Sequence, residues 1–374
     1  MALISALPAT WRRAPVAGVA LAVGLAVAAK LAAVAISSLG QGAPIPVSAI
    51  VLAVLLGIAW RNTVGLSSRF EPGVQLVAQR VLRVGIALVG LRLTLAGMAA
   101  VGPVALTVAA GCLVTALATA MLVGRLLGLP RAFVQLLALG TAVCGCTAVA
   151  AAAPVLRARA ADTGVALTCV VLLGSTGMLL YPWLADAFFR GNDAAAGMFL
   201  GTAIHDTSQV MGAAMIYAQQ FGVPDAVPVA GFTKLLRNMS MLVLIPLAAL
   251  SMRGSANGEA GAAEIPLRQA LPGFLIAFVL LAMLRTAGDA AFAGTEVADA
   301  WSGLIAAGLA ASDLLLVCGM TAIGLGISLR EVRSLGWRAF VAATAVALAV
   351  CCASLLALSW LSPAPLGAAA VRPT

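Results

Sequence analysis

His205 is the only histidine among 374 residues, and Asp206 follows it inside an apolar stretch. An imidazole beside a carboxylate exchanges protons near neutral pH, and ionisable side chains are costly in an apolar phase, so the pair marks a working site. The phrase before it, Gly201-Thr202-Ala203-Ile204, echoes Gly140-Thr141-Ala142-Val143 sixty-one positions earlier. On a continuous helix Thr202, His205, Asp206 and Gln209 fall three or four apart and share one face, with Gly212 below. Thr207 and Ser208 complete a run of five polar residues. The equivalent face of the first segment carries Thr141, Cys144, Gly145 and Ala148. Glycine permits close approach or unwinding, and unwound backbone in a membrane needs a partner or a water-lined cavity. The functional reading is an ion or substrate site that takes up protons through His205 and Asp206. The competing one is a satisfied polar pair capping a helix break.

Three cations stand deep in apolar segments. Lys234 and Arg237 are three apart near the start of the apolar run 227–250, and Arg92 lies near the far end of another. With few acidic partners they suggest an anion pathway, against which stands simple snorkelling to headgroups. Ser312-Asp313 opens an apolar run and reads as a helix N-cap. Lys30 reads as an interfacial anchor. Cys144-Gly145-Cys146 with one His offers too few ligands for an ordinary metal site, and no metal or cofactor is expected.

The elements that must position these residues are apolar. The chain is 63% hydrophobic and 9% charged, with a mean hydropathy of +1.09. Runs of about 20 apolar residues recur along it, which defines an all-α polytopic membrane protein rather than a β-barrel. The net charge of +9 comes from Arg residues placed between apolar runs. That is the bias of membrane loops, so nucleic acid is excluded as a partner and lipid is expected. Neither lysine, Lys30 or Lys234, follows a glycine, so no phosphate-cradling loop exists and transport would draw on a gradient. All seven cysteines lie in apolar segments and read as free thiols. Arg12 and Arg13 precede a first span too long for a cleaved signal core.

Candidate spans are 15–37, 44–60, 78–97, 103–124, 164–186, 227–250, 268–287, 312–329 and 338–361, with the two motif segments 132–155 and 196–217. About nine to eleven transmembrane helices form one integral membrane unit over 1–374, with a short cytoplasmic N-terminus, 1–14, and a short tail, 362–374. The stretch 297–310 lies at the interface or extends the helix after it. With the N-terminus inside, Arg61, Arg69, Arg80, Arg83, Arg125, Arg131, Arg330, Arg333 and Arg338 fall inside, and the uncharged loops 38–43 and 98–102 fall outside. If 132–155 crosses fully, Arg157 and Arg159 land outside against this bias. If it dips in and returns, they stay inside and 196–217 must do the same from the opposite face. Both forms remain open from sequence. A second echo, Gly90-Leu91-Arg92-Leu93-Thr94-Leu95 with Gly324-Leu325-Gly326-Ile327-Ser328-Leu329, falls on helices of opposite direction, as in inverted-repeat transporters.

Taken in order, these motifs resemble the YeiH-type family of bacterial inner-membrane proteins, which carry a sulfate-exporter label. The resemblance runs from about residue 45 to 345. It rests on Arg83-Val84-Gly85-Ile86, the two echoes, Gly201 through Val210, and Lys234-Leu235-Leu236-Arg237. Cys146 departs from it, standing where a small residue such as Ala is expected. The resemblance implies a secondary carrier with the broken-helix, inverted-repeat architecture of bile-acid and sodium–proton transporters.

The first functional expectation is therefore a gradient-driven exporter of a small anion, sulfate or an organic anion. Arg92, Lys234 and Arg237 would attract the anion. The Thr141 and Thr202 segments would cradle it, and His205 with Asp206 would couple protons. A sodium–proton type cation antiporter on the same scaffold, with Asp206 as ligand, is the alternative. An intramembrane enzyme with Cys144 or Cys146 as nucleophile and His205 as base is the third reading. A homodimer is possible on any of them.

Overall fold

The computed structural model describes residues 15–38, 48–241, 243–244, 273–328 and 336–361. The expected terminal segments 1–14 and 362–374, and Arg330 and Arg333, lie outside the described residues.

Among the described residues the structure is all helical. The helices are α1 (Pro15–Ser38), α2 (Ala49–Thr63), α3 (Glu71–Arg92), α4 (Leu95–Leu126), α5 (Arg131–Ala142), α6 (Cys146–Val155) and α7 (Ala160–Phe189). They continue with α8 (Asp193–Ala203), α9 (Thr207–Phe221), α10 (Ala226–Met239), α11 (Gly273–Phe292), α12 (Ala298–Gly326) and α13 (Trp337–Leu361). Six of them, α1, α3, α4, α7, α12 and α13, are long and apolar enough to cross a membrane. The protein is a multi-pass membrane protein.

Helix boundaries differ from the sequence reading at the span 78–97, the loop 98–102 and the cap expected at Asp313, while 297–310 takes the second of its two expected forms. The span expected at 78–97 ends at Arg92, and α4 begins at Leu95, so the outer loop expected at 98–102 is helix. Thr94 sets this boundary, its hydroxyl accepting the Gly97 N–H at 3.2 Å as an N-cap. The stretch 297–310 extends the helix that follows it. Asp313 consequently lies in the middle of α12 and caps nothing; it pairs with Arg92 at 2.8 Å.

The helices form two bundles. One gathers α1, α2, α3, α11 and α12; the other gathers α4 to α10 and α13. They meet where α9 lies on α2 and α3, where α10 lies on α3, and where α4 touches α11. Glycines let the backbones close up inside the first bundle: Gly57 and Gly324 face each other's helices, and a side chain at either would strike main chain. Between bundles, Ser48 Oγ donates to Gln219 Oε1 at 2.9 Å, and Gly231 lies against the Phe278 ring.

The second bundle contains two short hairpins. Gly174, Met178 and Trp183 of α7 meet Gln209, Gly212 and Phe221 of α9 in that order. Thus α9 runs parallel to α7, whereas α8 follows α7 through the link 190–192 and runs against it. The chain enters along α8, turns at 204–206 and returns along α9. On the other side α5 and α6 turn back at 143–145, with Gly140 packed on Val149 and both helices against α7. At 1.5 Å per residue α5 and α6 span roughly 18 and 15 Å, about half of the apolar core. Of the two forms left open for 132–155 and 196–217, the packing is that of re-entrant hairpins from opposite faces. Arg157 and Arg159 then share an end with Arg125 and Arg131, and the conflict in charge bias disappears.

Candidate substrate and ion site

The tips of the two hairpins touch. Gly145 has a φ of 71°, a conformation costly for other residues. A Cβ there would sit 2.8 Å from Asp206 Oδ2 and 3.1 Å from Asp206 Cα. Only glycine lets the tips approach this closely. Because both helices break at the tips, the single faces expected through Thr202, His205, Asp206 and Gln209 and through Thr141, Cys144, Gly145 and Ala148 do not exist. Their residues are divided between incoming and outgoing half-helices.

Each half-helix that ends at the junction leaves carbonyl oxygens without an intrahelical donor, and no water replaces the donor in an apolar interior. Arg237 and Lys234 of α10 supply those donors. Arg237 Nε donates to Ala142 O at 2.6 Å, Nη2 to Thr141 O and Nη1 to Thr202 O, so one guanidinium binds both hairpins. Lys234 Nζ donates to Ile204 O at 2.9 Å and to His205 O. Both side chains are fully buried. The sequence echo thus acquires a structural meaning, since Thr141 and Thr202 present equivalent carbonyls to the same cation. The two cations expected to attract an anion spend their hydrogen bonds on main chain. Their charge remains.

The half-helices that leave the junction present N–H groups, and Asp206 meets them. Its Oδ1 accepts the Ser208 N–H at 2.9 Å and caps α9. The start of α6 faces the same carboxylate, since Gly145 packs against Asp206, and α6 has no side-chain cap of its own. Asp206, Ser208, Cys146 and Thr147 are half-buried, so this side of the junction is the accessible one. His205 is 2% exposed and faces protein, not lipid, and its Nδ1 has no hydrogen-bond partner among the described residues.

The remaining expected residues support the junction. Thr202 Oγ1 donates to Met198 O at 2.7 Å and shares a 2.6 Å hydrogen bond with Ser354 Oγ. Gln209 Nε2 donates to Val171 O and to Ser175 Oγ, both at 3.0 Å. Thr207 Oγ1 accepts from Asn238 Nδ2 at 3.1 Å, and Cys144 sulfur lies 3.9 Å from Met241 sulfur. Arg92 is not gathered here; Asp313 neutralises it in the first bundle. Asn238, Ser175 and Ser354 were missed. Asn238 had a signal, being a polar side chain directly after Arg237. No group of three metal-ligating side chains gathers among the described residues, and all seven cysteines are free.

Opposed re-entrant hairpins with charged groups at their tips, inside a multi-pass helical membrane protein, define the class to which this chain is similar. The family described as conserved hypothetical protein 698 matches residues 17–343. A UPF0324 membrane protein named TauZ from Paracoccus denitrificans is 36% identical over 324 residues, covering 84% of this chain and 87% of that one. The TauZ protein of Paracoccus pantotrophus is 37% identical over 273 residues, covering 71% and 76%. The UPF0324 membrane protein Atu0671 of Agrobacterium fabrum is 32% identical over 302 residues, covering 79% of each. The chain belongs to the UPF0324 membrane protein family, in agreement with the YeiH-type resemblance of its motifs.

Proposed function

We propose that this protein is a secondary carrier of a small anion, sulfate or an organic anion, and that the hairpin junction is its binding site. The observation that carries the reading is the charge of that junction. Two buried cations, Lys234 and Arg237, face one carboxylate, Asp206. Each helix terminus adds roughly half a charge: two C-terminal ends contribute about −1 and two N-terminal ends about +1. The sum stays near +1, in surroundings where charge interactions are far stronger than in water. A monovalent anion, or a divalent one with a proton, balances it.

The seat for that anion is the accessible side, at the N–H groups of α6 and α9, flanked by Thr147 and Ser208. Asp206 holds these groups until a proton neutralises it, and His205 beside it exchanges that proton. The N-terminus is cytoplasmic in this reading, because Arg125, Arg131, Arg157, Arg159 and Arg338 share one end of the helices. In a bacterium the membrane is then the inner one. The sparse meeting of α9 and α10 with the first bundle provides a surface along which the junction can shift between the two sides.

One observation favours the cation–proton antiporter instead. Asn238, whose amide nitrogen bonds to Thr207, has a buried Oδ1 with no partner among the described residues, and a sodium ion would be held by such an acceptor. Proteoliposomes with an imposed pH gradient separate the two. The anion reading expects sulfate or sulfonate uptake that varies with pH and falls at least tenfold in His205→Ala. Uptake unchanged by that substitution removes His205 from coupling, and sodium flux with no dependence on any anion selects the antiporter.

A further inference from the structure

The first bundle carries charges that the junction does not use. Arg92 Nη2 donates to Asp313 Oδ1 at 2.8 Å; Asp313 keeps 40% of its side chain exposed, and Arg92 Nε is buried with no partner among the described residues. Lys30 is exposed on α1, close enough for its charge to act on both Asp313 and Cys318. Lys30 and Asp313 lie at one height. Gly18 of α1 packs against Gly73 of α3, and from there Lys30 is about 18 Å further along α1 and Gly85 about 18 Å further along α3. Ser312, the neighbour of Asp313, bonds to Gly85 O at 2.8 Å.

These charges sit on the outward side of the bundle, away from α9 and α10. Among the described residues α1 packs to any extent only on α2, α3 and α12, and no described element covers its other face. That face and the adjoining one of α12 carry Gly24 with Ala28 and Gly303 with Ala307, all exposed; a Cβ at either glycine would meet nothing within 4 Å. Small residues four apart let helices of two chains approach closely in lipid. Exposed ionisable side chains at this depth are costly against hydrocarbon and call for a partner of opposite sign.

From the reciprocal placement of one cation and one half-free carboxylate we infer that the α1/α12 face joins two copies of this chain, Lys30 of each meeting Asp313 of the other. A twofold axis makes such a contact self-complementary, because residue i on j implies j on i. Two pairs then close, and each Asp313 stands between Arg92 of its own copy and Lys30 of the partner subunit.

Native mass spectrometry of the full chain in lipid nanodiscs, with dilution in mild detergent, tests this. The wild type is expected to be a dimer. Lys30→Asp is expected to raise the dissociation constant at least tenfold, and Lys30→Asp with Asp313→Lys to restore it. Gly24→Leu, which leaves every charge in place, is expected to weaken the dimer while the melting temperature of the separated chain holds. A wild-type monomer at all concentrations overturns the inference. So does a dimer indifferent to both Lys30→Asp and Gly24→Leu, or a monomer that instead retains bound phospholipid through Lys30.

Discussion

Replacing Arg237 with alanine is expected to lower the melting temperature of the purified protein by about 5 °C, the largest loss for any single residue at the junction. The substitution strips three carbonyls, on Thr141, Ala142 and Thr202, of their donors at once. A buried polar group left unpaired costs about 1–3 kcal/mol, and breaking a buried charged partnership costs about 3–5 kcal/mol in all. Unfolding entropy is roughly 2.1 cal/mol/K per residue, so for a chain of 374 residues each kcal/mol moves the midpoint by about 1–1.5 °C. Arg237→Lys keeps the charge but not the planar fork that reaches both hairpins, so it is expected to recover less than half of the loss. Lys234→Ala, which frees two carbonyls on one hairpin, is expected to fall between the wild type and Arg237→Ala. A melting temperature of Arg237→Ala within about 1 °C of wild type would mean that the guanidinium does not hold the tips together, since a loss of several kcal/mol moves the midpoint further than that.

Asp206→Asn is expected to separate stability from coupling. Asparagine caps a helix about as well as aspartate, so α9 keeps its N-cap and the melting temperature changes little. Asp206→Ala loses the cap as well and is expected to cost a further ~1 kcal/mol. The charge is what Asn removes. With it gone, the junction holds two cations with no carboxylate, and no negative charge opposes an anion there at any pH. Sulfate exchange without a gradient is therefore expected to persist in Asp206→Asn, while accumulation driven by a pH gradient is lost. PH-driven accumulation that survives in this variant would remove Asp206 from the coupling path and leave it a structural cap.

Several of these features could be read from the sequence because they rest on local chemistry. The all-helical membrane fold follows from apolar runs, and the hairpin tips from glycines beside a lone imidazole–carboxylate pair. The echoed Gly-Thr-Ala phrases mark both tips. What was not legible depended on distant partners. Ser312-Asp313 carries the same signal whether it opens a helix or lies within one. Only Arg92, more than two hundred residues away, decides the matter. The link Leu93–Thr94 is flanked by apolar residues on both sides, so hydropathy runs straight through it; the Thr94 cap was the one local sign. Lys234 and Arg237 were read as groups awaiting an anion. A broken helix in an apolar medium creates orphan carbonyls, and the nearest buried cations are the donors that settle them. The choice between crossing and re-entrant segments turned on a few arginines in the sequence and on helix packing in the structure.

Cys146 allows the most direct test, because it sits half-buried at the N-terminus of α6, next to the Gly145 that packs against Asp206. In a variant keeping this cysteine alone, labelling by a small water-soluble maleimide would be followed with and without sulfate. The account predicts that Cys146 is labelled in membranes and that sulfate, or the transported organic anion, slows the reaction while sodium chloride at equal ionic strength does not. A Cys146 that never reacts, or that reacts at one rate whatever anion is present, would contradict a water-reachable anion seat where the hairpins meet.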